Sequence, residues 1–178
     1  MSSEPALIRF PKVPPERRAG AFLIDFVCVW FVSSLVVGNL ASRMVIFLVV
    51  WWLVRVLVVA RNQGQSLGRW ALDMKVIDYG KSSRIPELMV LTKREGITGL
   101  FSVLAMFGLS IGVVNVISLL LLCTPLALDW TIVMADTEHR QAFHDRIAGT
   151  LIIQTRRGFS LDLRLKKVLA QLSNRMRQ

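Results

Sequence analysis

Residues 97–135 read ITGLFSVLAMFGLSIGVVNVISLLLLCTPLALDWTIVMA, 39 residues with a single charge, Asp129. One continuous helix of that length would run ~58 Å at about 1.5 Å per residue. A bilayer core is roughly 30 Å thick and takes about 20 helical residues. A single crossing would leave about half of the stretch in water, so it must fold back. The turn is expected near Gly112–Asn115, giving either two passes or a re-entrant hairpin. Pro125 lies in the returning pass and lacks a backbone N–H, which predicts a kink there.

Two further apolar stretches lie upstream. Ala19–Val37 has 19 residues interrupted by Asp25, and Met44–Ala60 has 17 interrupted by Arg55. Each matches about one crossing, the second slightly short. Composition agrees: of 178 residues, 53% are hydrophobic and 19% charged, where a soluble domain has about 25% charged. This argues against an ordinary water-soluble enzyme and against a disordered acidic tail. The length suits one domain. Asp25 breaks the apolar core of the first stretch and no small-x-small cleavage site follows it, so a retained helix is expected rather than a signal peptide.

Lys and Arg number 22 against 12 Asp and Glu, a net charge of +10. Such an excess suits nucleic acid or a membrane surface, and its distribution selects the membrane. Arg9, Lys12, Arg17 and Arg18 precede the first stretch, and only Arg43 separates the first two. Arg69, Lys75, Lys81, Arg84 and Lys93 fill the interval before the third, and a long basic run from Arg140 onward follows it. Basic loops stay cytoplasmic, so both termini and the middle segment are expected there. That requires an even number of crossings, here four: about 19–37, 44–60, 97–113 and 116–135.

A charge at the centre of a spanning helix costs at least about 2.5–3.5 kcal/mol on insertion scales, so it pairs or lines a wet cavity. Asp25, Arg55 and Asp129 each fall roughly 8–10 Å inside the cytoplasmic face at about 1.5 Å per residue. They are expected to form one buried cluster, either an ion pair that locks helices together or a proton- or cation-handling site. Arg18, seven residues before Asp25, is expected to anchor the helix at the interface.

On the cytoplasmic side, Gly64-Gln65-Ser66-Leu67-Gly68-Arg69 predicts a turn and a short amphipathic piece. It lacks the spacing of a phosphate loop. Met74–Asp78 and Leu151–Gln154 read as two short strands that can pair. His139 and His144 have no third ligand at helical spacing, so no metal site is assigned, and hydrogen bonding to backbone is expected of them. His144-Asp145 lacks an accompanying nucleophile, so no catalytic residue and no cofactor is assigned. Cys28 and Cys123 lie in apolar stretches and read as small buried hydrophobes. In the tail, Leu165, Val168, Leu169, Leu172 and Met176 recur at helical spacing. Arg164, Lys166, Lys167, Arg175 and Arg177 fill much of the remainder. This basic amphipathic helix is expected to dock on anionic lipid or on a partner, not on nucleic acid.

Three motifs in order carry a family resemblance: Arg18-Ala-Gly-Ala21-Phe-Leu-Ile24-Asp25, Gly64-Gln-Ser-Leu-Gly68-Arg69 through Val76-Ile-Asp78, and Arg140-Gln-Ala-Phe-His144-Asp145-Arg-Ile-Ala148-Gly149-Thr150. The chain resembles the RDD family of membrane proteins over about residues 17–153. The resemblance implies Arg18, Asp25 and Asp145 as the name-giving residues, leaves Asp129 outside the signature, and puts Arg69 where the family usually has Lys. It also implies a link to sodium/proton antiport, which some members have. The tail beyond Gly158 is an extension to that pattern.

The expected architecture is an all-α integral membrane bundle of about four passes with a short cytoplasmic β element. Its parts are a cytoplasmic segment 1–16, a membrane domain 17–155 and a basic amphipathic tail 156–178. Two functions fit: a non-catalytic accessory or assembly factor of a larger membrane complex, or a cation/proton transporter using Asp25. Either would work with a membrane-protein partner or as a homo-oligomer.

Overall fold

The computed structural model describes residues 12–79, 84–111 and 115–155, together with Gln171. The basic tail residues Arg164, Lys166, Lys167, Arg175 and Arg177 lie outside the described residues.

Helix α1 (Pro15–Ser34) starts on a proline, whose missing N–H costs nothing in the first turn. The next helix runs from Leu40 to Arg61. It comprises α2 (Leu40–Trp52), one π-helical turn (Leu53–Leu57) and α3 (Val58–Arg61). Asn39 caps its start by accepting from the backbone N–H of Ser42 at 2.9 Å. The short α4 (Leu67–Ala71) is capped by Ser66. Two long helices follow, α5 (Leu88–Ile111) and α6 (Val116–Ala135), the second capped by Asn115. The long apolar stretch is therefore split into two helices around the expected turn, whose residues 112–114 lie outside the described ones. Helix α5 begins at Leu88, upstream of the expected Ile97, so Lys93, Arg94 and Glu95 are helical rather than loop. Pro125 is accommodated inside α6. The last helix is α7 (Phe143–Ala148), ended by Gly149 in the left-handed region at φ 64°.

Strands β1 (Met74–Asp78) and β2 (Thr150–Gln154) pair antiparallel, with Met74 opposite Gln154 and Asp78 opposite Thr150. Alternation divides their side chains. Met74, Val76 and Ile152 enter a core with Val13, Ala21, Val56, Val59, Leu72 and Leu91. Ile77, Leu151 and Ile153 form a separate cluster on the other face. Helix α1 packs on α2 and α4, α2 on α5, and α5 on α6 and α7. Phe26, Val29, Phe47, Trp51, Val103, Ala105 and Met106 make a second core between the long helices.

Burial in α6 is inverted relative to a soluble protein. Helix α6 buries only Asp129 and Val133 of its residues, while Val116, Ile117, Leu120, Leu121 and Leu128 face outward. An apolar surface of that extent requires lipid or protein around it. Among the described residues, three helices are long and apolar enough to cross a membrane: Leu40–Arg61, Leu88–Ile111 and Val116–Ala135. Helix α1 matches α6 in length but carries Glu16, Arg17, Arg18 and Asp25. Cys28 is exposed on α1 and Cys123 half-buried on α6, a correction to the expected burial. Cys28 shares its neighbourhood with outward-facing Val27, Trp30 and Phe31.

Candidate functional site

Between the helical core and the sheet lies a network of buried ions. Asp25, near the middle of α1, is fully buried. Its Oδ1 accepts from the backbone N–H of Gly68 at 2.7 Å, and its Oδ2 accepts from Ser66 Oγ at 2.6 Å and from Arg55 Nη1 at 2.7 Å. One carboxylate thus ties α1 to the start of α4 and to the π-helical turn. The approach of α4 to α1 needs Gly68, because a Cβ there would collide with the carbonyl oxygen of Ala21. Glycine at this point of the motif is a packing requirement.

Arg55 continues the chain of contacts. Its Nε donates to Glu95 Oε2 at 2.7 Å, and its guanidinium lies 4.8 Å from the ring centre of Trp51. Trp51 in turn sits against Gly99, where a Cβ would come within 2.8 Å of the indole, and donates to the Glu95 carbonyl at 3.2 Å. Glu95 is the node. It accepts from Arg55, from Arg69 Nη2 at 2.7 Å, from Thr98 Oγ1 at 3.0 Å and from Arg94 Nη1. Three guanidiniums share this one carboxylate.

Arg94 turns toward α7, where its Nε and Nη2 donate to Asp145 Oδ1 at 2.8 and 2.7 Å. Asp145 also accepts from Arg18 and from the N–H of Ala142. Arg18 makes a further bond to the carbonyl of Arg140. His144 connects the network to α6. Its backbone N–H donates to Asp129 Oδ1 at 3.2 Å, and its Nδ1 lies 2.7 Å from Asp129 Oδ2. Its Nε2 lies 3.2 Å from Arg94 Nη2, which can only donate. The same Nε2 lies 3.5 Å from Asp145 Oδ1, so the imidazole sits between Asp129 and the Arg94–Asp145 pair.

Four guanidiniums (Arg18, Arg55, Arg69, Arg94) thus face four carboxylates (Asp25, Glu95, Asp129, Asp145), all buried. Burial alone would push the Asp145 carboxyl up, but Arg94 and Arg18 overcome it and hold the group well below its ordinary value. Arg69 is lowered as well, which in a guanidinium disfavours the charged form. Burial, with Arg55 and Arg94 alongside, lowers it to about 9.

Asp25 and Arg55 are paired as the sequence suggested. Asp129 is paired not with Arg55 but with His144, because α7 packs on α6 and brings the imidazole to it. Arg18 is not an interfacial anchor but a buried partner of Asp145, since the closing segment folds back over the start of α1. The His144 ring bonds to ions, not to backbone, and His139 lies 3.1 Å from the Tyr79 hydroxyl. Sequence reasoning missed Glu95 and Arg94. The available signal was their adjacency to the longest apolar run, with Thr98 and Gly99 one helical turn further on.

No curated protein and no solved structure is detectably similar to the chain. The model of the RDD family matches residues 13–149. That range contains every residue of the ion network, from Arg18 to Asp145. The chain belongs to the RDD family.

Proposed function

We propose that this membrane protein is a non-catalytic accessory or assembly factor of a larger membrane complex. It crosses the bilayer four times, with α1 as the first crossing and both termini cytoplasmic. The observation that carries this reading is the saturation of the network: Asp25, Glu95 and Asp145 each accept from one or more guanidiniums and further donors. A carboxylate held in this way locks elements together and has no vacant charge to offer a passing ion. The outward apolar face of α6 suits a membrane partner or a second copy, and the basic tail suits anionic lipid. Purification of the full chain in mild detergent tests the reading. Recovery in a stoichiometric hetero-complex is the expected result, and a lone monomer of unchanged stability would overturn it.

One observation favours a second reading, cation or proton transport. Asp129 is the network carboxylate bonded to an imidazole rather than to a guanidinium, and both groups line a cavity. Reconstitution in liposomes distinguishes the two. Sodium- or proton-coupled flux abolished by Asp129→Asn, with the fold intact, would replace the accessory reading. No flux above empty liposomes is expected.

A further inference from the structure

A cavity of about 500 Å³ opens between the N-terminal half of α1 and the C-terminal half of α6. Pockets that hold small ligands run from about 300 to 1,000 Å³. Its walls are apolar: Ala19–Leu23 on one side, and Cys123, Leu126, Ala127, Trp130 and Val133 on the other. Its inner end is ionic, reached by Arg18, Arg55, Arg69 and Arg94 together with Asp129 and His144. Met74 and Ile152 of the sheet also line it, so the ionic end lies at the sheet end of the bundle.

The ionic end is short of acceptors. Arg69 is buried, and its Nη2 shares Glu95 with Arg55 and Arg94. Its Nη1 is buried with no hydrogen-bond partner among the described residues. A guanidinium N–H buried without an acceptor forfeits a charge-assisted bond. The lowered pKa of Arg69 has the same origin, a buried cation beside other cations. An oxyanion at the ionic end of the cavity would supply the missing acceptor once the Arg69 guanidinium turns toward it, and the apolar walls leading outward suit an alkyl chain.

We propose that this cavity binds one anionic glycerophospholipid, with its phosphate at the ionic end beside Arg69 and an acyl chain between α1 and α6. A phosphate with a chain fits better than a free anion, because the walls beyond the ionic end are almost wholly apolar. The lipid would bridge α1 and α6, the two helices that wall the cavity. The proposal is independent of the accessory reading, since a transporter could carry the same lipid.

The test uses the full chain in a non-ionic detergent. It is supplied with equimolar phosphatidylglycerol and the diacylglycerol of the same chains, which lacks the phosphate, and retained lipid is counted by native mass spectrometry. Thermal unfolding is followed in parallel with either lipid or with inorganic phosphate. The expected result is about a tenfold preference for phosphatidylglycerol, the worth of one charge-assisted hydrogen bond. A matching rise in Tm should follow that phosphate alone does not reproduce. Ala127→Trp fills the cavity from its exposed wall, leaves every ion in place and should bring the preference to parity. Equal retention of the two lipids by the unaltered chain overturns the proposal, and that arm depends on no variant. So does a full Tm rise with inorganic phosphate. A preference that survives Ala127→Trp would assign the lipid to the basic tail, and the proposal would fall.

Discussion

Glu95 is the residue on which the network depends most. Removing one partner of a buried ion pair costs about 3–5 kcal/mol, because the other charge is left uncompensated. Glu95→Gln leaves three guanidiniums around a neutral amide, whereas Asp25→Asn leaves Arg55 its bond to Glu95. Both variants should lower the denaturation midpoint in detergent, Glu95→Gln by the larger amount. An equal or reversed order would show that Asp25 is the node. Asp145 adds a dependence on pH. Its folded pKa lies below the ordinary 3.8, so the unfolded chain takes up this proton first as the pH falls. Its contribution to stability is complete above about pH 5 and is lost as the pH drops through the folded value. Asp145→Asn should therefore be less stable at neutral pH and show a shallower acid limb in a pH series of unfolding midpoints.

At the scale of elements, α4 is held by backbone as much as by side chains. Gly68→Ala would push α4 off the Ala21 carbonyl and draw the Gly68 N–H and Ser66 hydroxyl away from Asp25. Gly96, on the exposed side of α5, has nothing within 4 Å of where a Cβ would stand. There alanine gains about 0.8–1 kcal/mol of helix propensity. Gly68→Ala should destabilise and Gly96→Ala should stabilise. Unfolding midpoints that move in the same direction would contradict the packing assigned to α4. The π-helical turn belongs to the same scale. It lies in the segment Leu53–Leu57, around Arg55, whose guanidinium spans Asp25 and Glu95. Turns of this kind are frequent at functional sites.

For the whole molecule the question is how α1 sits in the membrane. Its charged residues Arg18 and Asp25 are buried against other elements. Its outward face carries Leu23, Val27, Trp30, Phe31 and Val32. A crossing α1 can therefore show lipid an apolar surface and keep its ions inside. With Cys28 and Cys123 replaced by Ser, Val37→Cys in the α1–α2 connection should react with an impermeant maleimide in intact cells. Tyr79→Cys should react only after permeabilisation. Labelling of both from the same side would rule out four crossings with cytoplasmic termini.

Much of the helical framework was legible because it is written locally. Apolar run length sets which segments suit a bilayer, and the two β-rich runs pair where their alternation allows. The Asp25–Arg55 pair was legible too, since similar depth in adjacent antiparallel helices brings charges together. The remainder depended on which elements meet. Arg18 and Asp145 are 127 positions apart, and nothing near either residue names the other. Glu95 lies just outside the apolar run 97–135 and enters the core because α5 begins at Leu88. Asp129 shares the depth of Arg55 but faces α7, because the side of a helix that is buried is set by its neighbours. Sequence alone determined that this is a helical membrane protein with ions inside its apolar segments. Only the tertiary structure decided which ions pair, because the energy that requires a buried charge to have a partner does not specify the partner.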